Sequence, residues 1–109
     1  MRKLSLDAVA REQMKHAMEN SNQRSAKTVY GGHERVLRQS VIALVQGAVM
    51  GDHLSPGEAT LHVLQGRIRL TAGKDSWDCR TGDLLDIPAD RHSVTALEPS
   101  VVLLTVAKP

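Results

Sequence analysis

The chain has 109 residues, a formal net charge of +2, 41% apolar residues, and only Tyr30 and Trp77 as aromatics. That length argues for one domain with one modest core, and the apolar fraction excludes wholesale disorder. Basic and acidic residues alternate along the chain. The basic stripe with stacking aromatics that nucleic acid requires is missing, so no nucleic-acid partner is expected.

Cys79 is the single cysteine, which excludes an internal disulfide and fits a reducing cytoplasm. The opening stretch MRKLSLDAVAREQMKH is too polar for a signal peptide, and no apolar run is long enough to span a bilayer. The expectation is a soluble, cytoplasmic protein with no membrane partner. With no Phe, the core has to come from Val, Leu, Ile, Ala and Met, which favours a small barrel filled with branched aliphatic side chains.

Residues 5 to 19 read as a helix, with Ser5 or Asp7 as its N-cap. Leu6, Val9, Ala10, Gln13, Met14, Ala17 and Met18 recur at helical spacing and form a mostly apolar stripe. Asn20, Ser21 and Asn22 end it, since short polar side chains favour turns. The spacing predicts that this helix packs on the outside of the β domain, or on a partner chain. Residues 1–25 are read as helix and linker, and 26–109 as the β domain.

From Ala26 the pattern changes to short strands with turn punctuation. Lys27 to Tyr30 reads as a strand, turned by Gly31-Gly32. Val36 to Val45 is the next, with Gly47 and Gly51 breaking it. Thr60 to Leu64 comes after it, and Gly66 turns the chain into Arg67 to Thr71, where charged and apolar residues alternate as on a sheet with one wet face. Ser76 to Arg80 alternates again, placing Trp77 and Cys79 on the inner face. Leu84 to Ile87 stops at Pro88, and His92 to Leu97 and Val101 to Val106 complete the set. Short strands at this even spacing describe an all-β sandwich or barrel.

Two stretches resemble the paired motifs of the cupin superfamily. GAVMGDHLSPGEATLHVLQG supplies Gly47, His53 after five intervening residues, and a closing Gly66. GDLLDIPADRH supplies Gly82, Pro88 after five intervening residues, and His92. The resemblance covers residues from about Val36 to Val106 and implies an all-β, jelly-roll-like cupin barrel preceded by an N-terminal α-helix, in the manner of small single-domain, conserved-barrel members. Complete members bind a divalent transition metal (Zn, Fe, Mn or Ni) through three histidines and a carboxylate, leaving positions open for substrate.

This chain departs from that set. Ser55 stands at the second histidine position, Ala59 at the glutamate position, and the Asn position falls near Ala96. The resemblance therefore implies a degenerate metal site of His53 and His92, one ligand short of the three used by catalytic zinc. Glu58 is the candidate third ligand. Period-two alternation sends it away from the interior, and only a bulge near Pro56-Gly57 turns it in. His62 falls on the opposite face from the pocket, and His16 and His33 are read as surface residues.

The expected ligand pocket is lined by His53, Ser55, Ala59, Trp77, Cys79 and His92. Arg38, Arg67, Arg69 and Arg91 are candidates for the barrel mouth, able to attract an anion, although Arg67 and Arg69 fall on a solvated face. Two functions fit: a module that binds a small molecule beside an incomplete metal site, or a metal-dependent dioxygenase or isomerase using His53 and His92. One helix before the barrel leaves no recognition helix for DNA. A homodimer is expected through the helix stripe and the strand from Lys27 to Tyr30.

Overall fold

The structure, a computed structural model, describes residues 2–53 and 57–107, with the side chains of Asp52 and His53 outside that description. One helix precedes nine strands: α1 Leu6–Glu19, β1 Arg24–Tyr30, β2 Leu37–Leu44, β3 Val49–His53, β4 Glu58–Gln65, β5 Arg67–Ala72, β6 Asp75–Arg80, β7 Leu84–Asp86, β8 His92–Ala96 and β9 Ser100–Ala107. Ser5 caps α1, its Oγ accepting the Ala8 amide proton at 3.1 Å. Asn20 ends the helix in extended backbone.

Every strand pair is antiparallel. The order β1-β2-β9-β4-β7 makes a five-stranded sheet and β3-β8-β5-β6 a four-stranded one. The two sheets face each other. Ile42, Leu44, Leu61, Val63 and Val102 of the first interleave with Ile68, Leu70, Cys79, Val94 and Ala96 of the second. The other face of the five-stranded sheet is also covered. Val29, Val41, Ala43 and Val101 pack there against Ala10 and Ala17 of α1. The stripe predicted on α1 is thus consumed within the chain, except for Met18, which is 72% exposed. Among the described residues no helix is long and apolar enough to cross a membrane.

Two expectations change. The strand ladders form two separate sheets rather than one closed sheet. Where closure would run a ladder from β1 to β3, a side chain spans instead, the Arg24 guanidinium donating to the Val49 carbonyl at 2.6 Å. Gly51 does not break the chain either. It lies inside β3, a strand that sequence reading missed, and Gly47, with φ +86°, makes the turn alone.

The turn glycines differ in what holds them. Gly66 sits at φ +89°, and a Cβ there would overlap the Pro99 carbonyl oxygen and the Ser100 hydroxyl. That hydroxyl is fully buried, accepts from the Arg67 amide at 3.0 Å and has its one proton within reach of the carbonyls of Glu98, at 2.7 Å, and Arg67, at 3.0 Å. Gly82 has a similar φ of +92° but open space around it. Gly82→Ala should therefore cost only the left-handed backbone penalty, about 1–2 kcal/mol. Gly66→Ala should cost at least about 2 kcal/mol more, because backbone must move. Urea unfolding of the two variants measures the difference, and equal losses would contradict this account of the turn.

Cys79 is 7% exposed in the core between the sheets. Burial pushes its thiol pKa up, with Asp83 and Asp78 adding to the shift. Below about pH 8.5 the thiol is neutral in both folded and unfolded chains, so the benefit of burying it is fully present. Above that the unfolded chain ionises first, and stability falls as pH rises through the folded pKa. Cys79→Ala should flatten part of the alkaline decline in unfolding free energy. Iodoacetamide should label native wild-type protein far more slowly than urea-unfolded protein, which mass spectrometry reads directly.

Candidate functional site

Connectivity gathers one set of residues at one end of the two sheets. β3 ends at His53 and the chain re-enters the opposite sheet at Glu58. β7 ends at Asp86, Ile87 donates its amide proton to the Ala59 carbonyl at 3.0 Å, and five residues after Ile87 the chain re-enters the four-stranded sheet at His92. Both crossings occur at the same end, so Ala59, Ile87, His53 and His92 all belong to it. The ladder places His53 opposite His92.

That pairing depends on an irregularity. From Met50, paired with Val94, β3 takes three steps to His53 while β8 takes two to His92. The extra residue is a bulge in the run Gly51-Asp52. Regular alternation would put His53 out of step with Met50, and the bulge restores the register across from His92.

His92 is built into the interior. β8 alternates strictly, with His92, Val94 and Ala96 buried and Ser93 and Thr95 half-buried on the other side. His92 is 3% exposed, and its Nδ1 lies 2.9 Å from the Asp90 carbonyl oxygen. A carbonyl only accepts, so Nδ1 carries a proton, and in the neutral ring the lone pair is on Nε2. This is the tautomer that metal-ligating imidazoles adopt when a backbone carbonyl orients them. Pro88 stops β7 and lets the turn at Asp90 reach back to the ring.

The other predicted residues divide. Ala59 is buried, 7% exposed, on the inward face of β4 with Leu61 and Val63. Glu58 is exposed, and the alternation from Glu58 to Leu64 runs without a break. That puts Glu58 with Thr60 and His62 on the outward face, as the undisturbed strand predicts. Glu58 lines an open groove of about 520 Å³ at the β4–β7 rim, together with Ala59, Thr60, Asp86 and Ile87. Ser55 lies outside the described residues. Cys79 faces the interior. Trp77 shares its parity but is 42% exposed on β6, an edge strand. His16 and His33 are exposed.

The described residues do not supply a full ligand set. Among them no group of three His, Cys, Asp or Glu side chains is placed to hold a metal ion. By themselves the described residues do not make a three-histidine, one-carboxylate centre, and the inward imidazole they contribute is that of His92.

The arginines named from sequence separate by face. Arg69 pairs with Asp78 on the solvated face of the four-stranded sheet, at 2.7 and 3.1 Å, and its guanidinium holds the Asp78 carboxyl below its ordinary value. Arg67 lies on that face too, and Arg91 is exposed. Arg38 is half-buried and has inward parity on β2, with Ile42 and Leu44.

No family model matches the chain, and no curated protein matches it. Solved structures do. A cupin superfamily protein from Desulfitobacterium hafniense superposes with a TM-score of 0.73 at 19% identity, covering 83% of this chain and 82% of that one. An RmlC-like cupin from Shewanella frigidimarina gives 0.68 at 16% identity, covering 79% and 77%. The TT1209 protein from Thermus thermophilus gives 0.75 at 19% identity over the whole of both chains. Strand-rich with one helix, and superposable on these proteins over most of its length, this chain has a small cupin fold.

Proposed function

We propose that the protein binds a small molecule between its two sheets, at the end where His53 and His92 meet, with the sheets acting as an open jelly-roll-like barrel. A divalent transition metal at this end would have two protein ligands, His53 and His92, its remaining positions falling to water and the bound molecule. The single observation that carries this reading is His92. It is a nine-tenths-buried imidazole on the inward face, turned by the Asp90 carbonyl so that Nε2 holds the lone pair, and opposite His53 in the ladder. A buried imidazole fixed by its own loop is a positioned polar group on an otherwise aliphatic inner face, the kind of group that orients a ligand in a pocket. A two-histidine set supports a binding module over a dioxygenase or isomerase, because such enzymes need a third ligand and Glu58 is on the outward face.

Self-association through β1 is proposed as well. The helix stripe is spent on the chain's own sheet, but β1 is an edge strand with one unpaired side. A monomeric mass in sedimentation at micromolar protein would overturn that.

Tag-free protein loaded with Zn²⁺ and measured by mass spectrometry should carry up to one equivalent. His53→Ala and His92→Ala should each weaken metal affinity by at least about 100-fold. Glu58→Ala should leave it unchanged. Metal retained by His92→Ala would refute the two-histidine assignment. A library of small molecules that moves neither the melting temperature nor the emission of Trp77, the single tryptophan, would refute small-molecule binding.

A further inference from the structure

We infer that the inward end of the site takes the carboxylate group of a small organic acid, received by the Arg38 guanidinium. This rests on the small-molecule reading above and names the class of molecule.

The ladder between β2 and β9 runs from Leu37 to Leu44 without a break, so face assignment along β2 is unambiguous. Val41 and Ala43 face the helix, and Ile42 and Leu44 face the opposite sheet. Ser40 and Arg38 continue the inward series. Arg38 is opposite Val106, which is 2% exposed, and Val106 is in turn opposite Ala59. Arg38 therefore shares an inward row with the apolar residues Val106 and Ala59, the row that Ile87 joins by its bond to Ala59. His92, a second buried polar group, re-enters at this same end.

The other arginines are accounted for. Arg2 and Arg24 donate to backbone carbonyls, Arg35 to the Tyr30 hydroxyl and Arg69 to Asp78. Arg91 also has a partner. Arg11, Arg67 and Arg80 stand exposed in water. Arg38 is half-buried, and among the described residues its guanidinium makes no hydrogen bond or ion pair. The carboxylates described nearby are turned away or at the rim. Glu58 and Asp86 are exposed on the outward face, and Asp75 is exposed at the start of edge strand β6.

Arg38 brings a fixed positive charge to this inward row and has no described counter-charge, which makes it an unspent recognition group. Its planar fork matches the two oxygens of a carboxylate with parallel hydrogen bonds. Such a molecule would place its acid group on Arg38 and extend over Val106 and Ala59 toward His92.

The test uses the full chain and two matched pairs of probes, benzoate with benzamide and propionate with propionamide, followed by backbone amide NMR at Ala59, His92 and Val106. The acids should shift these resonances at lower concentration than the amides. Arg38→Met, which keeps the stem and removes the charge, should weaken benzoate about 10- to 100-fold and leave benzamide unchanged. Arg38→Lys should recover part of the loss. The same spectra report whether each variant is folded. Equal binding of acid and amide, benzoate binding by Arg38→Met at wild-type strength, or inorganic phosphate binding more tightly than either acid would each overturn the carboxylate assignment while leaving the pocket intact. Silence at these resonances with all four organic probes would remove the pocket as well.

Discussion

The structure depends on covering the five-stranded sheet from both sides. Its central strands β2 and β9 cannot leave either face in water, so they read as continuous apolar runs, VIAL and VVLL, in place of alternating patterns. One face goes to the four-stranded sheet and the other to α1. Once both faces are committed, register has no freedom: a one-residue slip would exchange the residues meant for the helix with those meant for the opposite sheet. Arg38 and Val106 owe their inward parity to this constraint, because Ile42, Leu44 and Val102 on the same strands have nowhere else to go.

The four-stranded sheet is held differently. Its outer face is wet, with Arg67, Arg69 and Asp78 exposed, and its strands alternate accordingly. With one buried face, it tolerates the bulge in β3. The bulge is the local departure that aligns the ladder positions of His53 and His92, and it lies beside the glycine most able to accept it, Gly51.

These differences explain which features were legible in the sequence. Strand β5 and the helix were legible because period two and period 3.6 are strong signals, and β9 because a short continuous apolar run bounded by turn residues marks a buried strand. The outward positions of Glu58 and His62 were legible for the same reason, since alternation along β4 is unbroken. β3 was not legible, because a glycine inside a short strand reads as a break until its partner strand is known. The division into two sheets was also hidden: strand spacing gives the number of strands but not which edges meet. Trp77 was assigned its correct parity, yet its exposure depends on β6 being an edge, a property of topology rather than of the residues around it.

The site's charge balance links these observations. With Ala59 where a carboxylate would complete a metal site, the described inward end has the His92 imidazole, Arg38 in the adjoining inward row and aliphatic walls. A divalent cation there would sit near Arg38 with no described inward carboxylate to offset it, an arrangement that low local dielectric penalises. An anionic ligand reverses the sign of that penalty, since it can satisfy the guanidinium and share the cation's charge at once. Under the binding function proposed above, the negative charge would come from the bound molecule and not from a protein glutamate. Metal and acid are then expected to bind cooperatively, each tighter in the presence of the other, as linkage requires of two ligands that offset one another's charge.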